Sequence, residues 1–190
     1  DITSPVIPGA GITEATPSPL VLLANSLEGW ASLCRLSSLA NAAPPSSSFV
    51  PELSLEQLAA NSTGLLCLTG GRRGYAAGLA KQGNLPALQA WLAQLKDLFP
   101  GDLYVELQIH TQEDTAWVGQ LAILAQRLKL PAVATHDIHY LKPEHSELQR
   151  VVSAIRLNAR LENLPQNATA PPGADFPSIQ EMETRFTHYP

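Results

Sequence analysis

Cysteine and long hydrophobic runs are scarce in this 190-residue sequence, and each scarcity excludes a class of protein. The two cysteines, Cys34 and Cys67, lie in apolar runs and form no C-x-x-C pair. The simpler interpretation is a reduced, cytoplasmic protein with two buried thiols rather than a disulfide. No signal peptide is recognisable, and no apolar run reaches the roughly 18 residues of a membrane span. We therefore expect no membrane partner.

Charge is also sparse, because charged residues make up 15% of the chain and apolar residues 45%. This composition is typical of a globular domain rather than a disordered chain or a coiled coil. The net charge of −5, from 12 basic and 17 acidic residues, argues against a general nucleic-acid surface but leaves a local basic patch open. The length suffices for one domain with a full hydrophobic core.

The order of predicted elements indicates the fold class. Sixteen prolines cluster at 5–19, 44–51 and 165–177, which predicts loops or a linker there. Short apolar runs predict strands at 19–24, 64–69, 103–110 and 132–135. Apolar residues at helical spacing predict helices at 27–42, 84–98, 112–129, 143–157 and 178–186, with shorter ones from Ser54 and near Tyr75. This alternation favours an α/β fold with a mostly parallel sheet, whose functional groups collect at the strand carboxyl ends.

The sequence His136-Asp137-Ile138-His139 follows the last predicted strand. Its Asp-x-His spacing places a carboxylate and an imidazole two residues apart, and Zn²⁺ and Mn²⁺ accept such ligands. Asp137 and His139 are therefore candidate metal ligands, with His110 and His136 as possible helpers. The alternative is a polar turn in which Asp137 caps the backbone and His139 packs beside Tyr140. Two ligands alone hold a metal weakly.

Other strand ends carry weaker signals. The sequence Gly70-Gly71-Arg72-Arg73-Gly74 either cradles a phosphate with Arg72 and Arg73 or forms a tight turn with solvated arginines. It lacks the Lys and Ser/Thr of a P-loop. Glu106 and His110 are either site residues or hydrogen-bonded residues of a strand face. No nucleophile elbow exists and neither cysteine has an evident base partner, so we predict no nucleophilic catalytic residue.

Several stretches together resemble a known family. LVLLANSLEGWASLCRLSSLA, LYVELQIHTQED and LPAVATHDIHYLKPEHSELQ occur in this order. They resemble the PHP (polymerase and histidinol phosphatase) domain of bacterial DNA polymerase III alpha subunits, and the error-prone polymerases are similar too. The resemblance covers roughly residues 6–164, and FPSIQEMETRF resembles the segment that leads toward the polymerase palm.

This resemblance implies a fold, domain limits and partners. The fold would be a PHP-type distorted seven-stranded (β/α) barrel, here incomplete at the N-terminus, with a PHP-like domain at 1–164 and a linker with a short helix at 165–190. The parent would be a DNA-directed DNA polymerase, a nucleotidyltransferase that acts in replication or repair synthesis. The partners would be the rest of that alpha subunit and, through it, other replisome subunits and DNA.

Only part of the family's metal site is carried over. Asp137 and His139 stand on the last Asp-x-His ligand pair of the family. The Gly-x-Glu ligand falls on 9–11, which reads Gly-Ala-Gly, and Glu14 is a poor substitute. A family His falls on Pro19 and a family Cys on Gly71. The first His-x-His and the following Asp-His would precede residue 1, so we expect weak or lost Zn or Mn binding and no hydrolysis.

Three functions remain open at this point. The first is a non-catalytic PHP module that packs against the polymerase body. The second is a metal-dependent phosphoesterase or 3′–5′ exonuclease that uses Asp137, His139, His110 and His136, with the arginine pair holding the phosphate. The third is a small-molecule-binding α/β domain unrelated to polymerases.

Overall fold

The computed structural model describes residues 2–4, 18–42, 53–165 and 168–189, and these residues form two compact units. The first unit contains residues 1–107 and 117–133, and the second contains 108–116 and 134–190. The sequence at 9–11, Glu14, and most of two proline clusters lie outside the described residues. The domain boundary at residue 164 stays a prediction.

The first unit is built on a sheet with strand order β1-β2-β3-β4-β5. In chain order these strands are β1 (Ile2–Ser4), β2 (Ser18–Ala24), β3 (Leu65–Leu68), β4 (Leu103–Leu107) and β5 (Ala132–Ala134). The four predicted strands are confirmed with small shifts at their ends, whereas β1 was not predicted. It pairs with β2 in antiparallel register, Ile2 opposite Leu20. A seven-stranded barrel stays a prediction.

The expectation of a mostly parallel sheet is wrong for the described strands. β2 runs antiparallel to β3, with Ala24 opposite Leu65, and β3 runs parallel to β4, with Cys67 opposite Leu103. Two α-helices intervene in each of these connections, so the number of intervening helices does not decide the strand direction. The carboxyl end of β2 therefore lies at the opposite edge of the sheet from the carboxyl ends of β3 and β4.

Helices cover this sheet and supply most of the core. In chain order they are α1 (Leu27–Ala42), α2 (Leu55–Ala59), α3 (Tyr75–Lys81), α4 (Leu85–Leu98) and α5 (Asp114–Leu128). The Ser54 hydroxyl accepts a hydrogen bond from the Gln57 amide, which confirms the predicted helix start there. Side chains from α4 and β4, including Trp91, Leu95 and Val105, are at most 1% exposed, so the hydrophobic core is centred on these elements.

Helix α1 packs through a different face from the one that its large apolar residues predict. Leu27 and Trp30 are 89% and 63% exposed. The buried positions of the helix are Gly29, Ser32, Leu36 and Ala40. A Cβ on Gly29 would lie 1.8 Å from the Gly64 carbonyl oxygen, so small residues let the helix approach the backbone before β3. Close backbone contact, rather than hydrophobicity, selects the buried face.

The two thiols lie in different environments. Cys67 is buried in β3, but Cys34 on α1 is exposed, so the prediction of two buried thiols is wrong for Cys34. Burial, and secondarily the nearby charge of Glu106, raises the pKa of Cys67 to about 12.

The second unit contains two amphipathic helices. They are α6 (Ser146–Arg156), preceded by a 3₁₀ turn at Pro143–His145, and α7 (Ile179–Phe186). Both confirm predicted helices. On α6 the buried residues are Ser153 and Ala154, and the larger apolar residues face outward. None of the helices in the described ranges has the length and apolar character that a membrane crossing requires.

Candidate functional site

The candidate metal residues lie in the second unit, on two segments that follow β4 and β5. β4 ends at Leu107, three residues before the predicted end, and a loop follows it. The buried carboxylate of Asp114 organises this loop, because its Oδ2 accepts hydrogen bonds from the backbone amides of His110 and Thr111, both at 3.0 Å. The position of His110 is therefore set by the start of α5.

The segment after β5 brings His136, Asp137 and His139 to the same place as His110. We call these four residues the histidine corner. The rings of His110 and His136 stack with centroids 4.1 Å apart, and the Asp137 amide donates to His110 Nε2 at 3.4 Å. The structure thus brings the helper residues His110 and His136 together beside Asp137. Whether they bind a metal stays a prediction.

Asp137 and His139 form a pair of their own. Asp137 Oδ2 lies 3.3 Å from His139 Nε2, and the side chains are 33% and 35% exposed. No group of three or more His, Cys, Asp or Glu side chains within the described ranges is arranged to hold a metal. The pair alone does not fit the three or four protein ligands that zinc sites use.

His136 is engaged through both ring nitrogens. Nε2 lies 2.8 Å from the Gly173 carbonyl oxygen, and Nδ1 lies 3.4 Å from Arg185 Nη1. Burial lowers the pKa of His136, a shift that the Gly173 carbonyl opposes and the positive charge of Arg185 reinforces. The imidazole is therefore favoured in its neutral form.

Sequence reasoning missed the residues after 170 that complete the environment of the histidine corner. The Ala174 carbonyl accepts from the His139 amide at 2.9 Å, and Tyr140 bridges to Asp175 as in a parallel sheet. Gly173, at a φ of 71°, lies beside the corner. The Gly-containing turn and the Ser178 helix cap were visible in the sequence, but nothing local marks Arg185 as a neighbour of His136.

The predicted phosphate-binding arginines lie in the first unit. Arg72 and Arg73 belong to a short 3₁₀ turn, whose carbonyl oxygens accept from Lys81 Nζ at 2.9 Å and Ser18 Oγ at 3.1 Å, respectively. Gly70 starts this turn at a φ of 86°. These contacts account for a tight turn, and the phosphate role stays a prediction.

Glu106 lies on β4, also in the first unit, and is buried. Its backbone amide donates to Thr69 Oγ1 at 2.9 Å, which links it to the residue after β3. This contact involves the backbone of Glu106 only, and both interpretations of its carboxylate stay predictions.

A mixed α/β domain with histidines on the segments after its strands defines only a broad class of proteins. Comparison with known sequences identifies the family within that class. Residues 6–110 match the PHP domain family. This match covers more than half of the chain, and the chain belongs to the PHP domain family.

The relatives are much longer proteins. The chain is 30% identical to the DNA polymerase III subunit alpha of Chlamydia trachomatis over 90% of the chain and 16% of that protein. It is 29% identical to the subunit of the same name from Aquifex aeolicus over 80% of the chain and 13% of that protein. It is 35% identical to an error-prone DNA polymerase of Pseudomonas fluorescens over 72% of the chain and 12% of that protein. The chain thus spans about one sixth or less of the relatives it matches.

Proposed function

We propose that this chain is the PHP module of a DNA polymerase III alpha-type subunit, and that it serves DNA replication or repair synthesis in the cytoplasm as a non-catalytic, structural part. Relatives named as that subunit align with most of the chain and support this assignment. The partners would be the remainder of the subunit and, through it, other replisome subunits and DNA.

The main support for the non-catalytic role is the small number of side chains in the histidine corner that are free to bind a metal. Hydrolysis by a metal-bound hydroxide requires a metal held by several ligands with one position left open for water. Asp137 and His139 are only two ligands, and they contact each other at 3.3 Å. The two ring nitrogens of His136 point at protein groups. This arrangement favours a structural role over phosphoester hydrolysis.

The outer face of α6 supports a role in packing. Four of its apolar residues follow the i, i+3, i+4, i+7 spacing of one helical stripe, and they are 38–74% exposed: Leu148, Val151, Val152 and Ile155. An apolar stripe of this kind is costly to leave in water and is typical of a contact surface. In the proposed function, the remainder of the alpha-type subunit covers this stripe.

A nuclease assay tests the non-catalytic role. The purified chain is incubated with 5′-labelled single-stranded DNA and either MnCl₂ or ZnCl₂, beside the double variant Asp137→Ala, His139→Ala. We expect the same background release of nucleotides from both proteins. Metal-dependent release that the double variant loses would instead support the phosphoesterase or 3′–5′ exonuclease function.

Co-purification tests the packing role. The chain is co-expressed with the polymerase region of an alpha-type subunit from the same organism, and Val152→Glu is expected to reduce the fraction that co-purifies. Glu147→Gln on the exposed polar face of the same helix is the control and should leave that fraction unchanged. Equal recovery of wild type and Val152→Glu, with both folded by circular dichroism, would contradict a contact through α6.

A further inference from the structure

Arg185 reaches the histidine corner from α7. This helix begins after Ser178, whose hydroxyl accepts from the Glu181 amide at 3.2 Å, while the Glu181 carboxylate accepts from the Ser178 amide at 2.6 Å. The reciprocal cap fixes the first turn of α7, and Arg185 lies in its last turn. Arg185 Nη1 lies 3.4 Å from both the Ile109 carbonyl oxygen and His136 Nδ1. One guanidinium nitrogen thus contacts both segments of the corner.

The chemistry of these partners determines the state of the His136 ring. A carbonyl oxygen can only accept a hydrogen bond, so the 2.8 Å contact with Gly173 requires a hydrogen on Nε2. A guanidinium can only donate, so the contact with Arg185 requires a lone pair on Nδ1. Both conditions hold together only for the neutral imidazole with its hydrogen on Nε2.

We infer that Arg185 is the resident cation of the histidine corner, where it takes the Nδ1 lone pair of His136 that a divalent metal would need, while the Gly173 carbonyl holds the hydrogen on Nε2. A metal binds imidazole through a deprotonated nitrogen, and His136 has its one such nitrogen directed at Arg185. His110 Nε2 is engaged too, because it accepts from the Asp137 amide at 3.4 Å. Both helper histidines are therefore committed to protein contacts.

The inference concerns the corner alone and does not depend on the polymerase assignment. The positively charged guanidinium joins the backbone carbonyl of Ile109, in the 108–113 loop, to the segment after β5, as a bound ion would. Because the cation is a side chain of the protein itself, this link does not depend on metal supply, and the guanidinium keeps its charge since it is not deprotonated in proteins.

Nitrogen NMR of the full 190-residue chain tests the contact between Arg185 and His136 Nδ1. Arg185→Met removes the charge and the donor while keeping a similar volume, and Arg150→Met, which breaks the exposed contact with Glu147 on α6, is the control. We expect wild type and Arg150→Met to show His136 with a protonated Nε2 and an unprotonated Nδ1. In Arg185→Met the Gly173 carbonyl still holds the hydrogen on Nε2, so the expected change is confined to Nδ1, whose shift should move to that of a nitrogen that accepts no hydrogen bond. An unchanged Nδ1 shift in Arg185→Met would overturn the inference.

A zinc titration of the same samples tests the exclusion of metal. Arg185→Met should bind ZnCl₂ at least about tenfold more tightly than wild type, and adding His136→Gln should abolish that gain. Equal affinity of wild type and Arg185→Met would overturn the exclusion. If Arg185→Met fails to fold, the wild-type titration decides: a zinc-induced shift of His136 Nδ1 at stoichiometric metal overturns the inference, and an unmoved Nδ1 supports it.

Discussion

The imidazole rings of His110 and His136 stack with their centroids 4.1 Å apart and their planes inclined by 14°. Two imidazolium ions at this distance would repel each other, so the stack disfavours a positive charge on both rings at once. Each ring also accepts a hydrogen bond, from the Asp137 amide or from Arg185. Two residues 26 positions apart along the chain thus form one packed unit.

Acid should weaken the second unit through His136. Its pKa is lowered in the folded state, with burial as the largest cause, so the unfolded chain binds this proton more readily. The stabilisation is fully present above the unfolded pKa of about 6.5 and decreases as pH falls below it. Urea unfolding of wild type and His136→Gln between pH 7.5 and pH 5 measures the decrease in the free energy of unfolding. The decrease should be smaller in the variant than in wild type. Parallel curves for the two proteins would contradict the expectation.

Gly173→Ala should destabilise the corner by about 1–2 kcal/mol. Gly173 has a φ of 71°, and an added Cβ would lie 3.0 Å from the His110 carbonyl oxygen. The control is Gly83→Ala, because Gly83 has a φ of 70° and open space around it. Both substitutions carry the left-handed backbone cost, and the difference in their free energies of unfolding reports the close approach to His110. A control that costs as much as Gly173→Ala would rule out a role for that approach.

Gly29→Ala should destabilise the first unit by about 3 kcal/mol or more. Its Cβ would lie 1.8 Å from the Gly64 carbonyl oxygen, a backbone atom that can yield only if α1 moves away. Gly119→Ala on α5 is the matched helical control, since no atom lies within 4 Å of its Cβ. The control should be neutral or stabilising by up to about 1 kcal/mol. Thermal and urea unfolding of both variants measures the two changes in the free energy of unfolding. Small and equal changes in the two variants would refute the prediction.

Iodoacetamide at pH 8 should alkylate Cys34 and spare Cys67 in the folded chain. Cys34 is exposed, whereas burial raises the pKa of Cys67 to about 12 and keeps its thiol protonated. Mass spectrometry of proteolytic peptides, with and without urea, reads out both sites. Native alkylation of Cys67 at the rate of Cys34 would show that this thiol is accessible.

The same pKa shift gives a dependence on alkaline pH. The unfolded thiol loses its proton near pH 9.0, and the folded one near 12. The free energy of unfolding should therefore decrease as pH rises above about 9, and less so in Cys67→Ala. Urea unfolding at pH 8 and pH 10 compares the two proteins.

Secondary structure was predictable because local patterns decide it. The apolar run at 19–24 became β2, and the cap signal at Ser54 became the start of α2. The packing face of α1 was not predictable from hydrophobicity, since Gly29 and Ser32 are buried while Trp30 is exposed. That choice depends on the backbone of Gly64, which is distant in sequence.

The site was predictable only in part. The Asp-x-His spacing marked Asp137 and His139, and the fold places His110 and His136 beside them. The contact of Arg185 with His136 joins residues 49 positions apart, and no periodicity in the sequence encodes such a pair.

The amino-acid sequence by itself determined the family, the order of the elements and the segments that carry the histidines, because these follow from local propensity and from motifs of neighbouring residues. Only the tertiary structure decided that β2 lies antiparallel to β3, that α1 packs through small residues, and that a guanidinium contacts the histidine corner. These features depend on distances between residues far apart in the chain, which are set when backbones pack closely and polar groups must find partners.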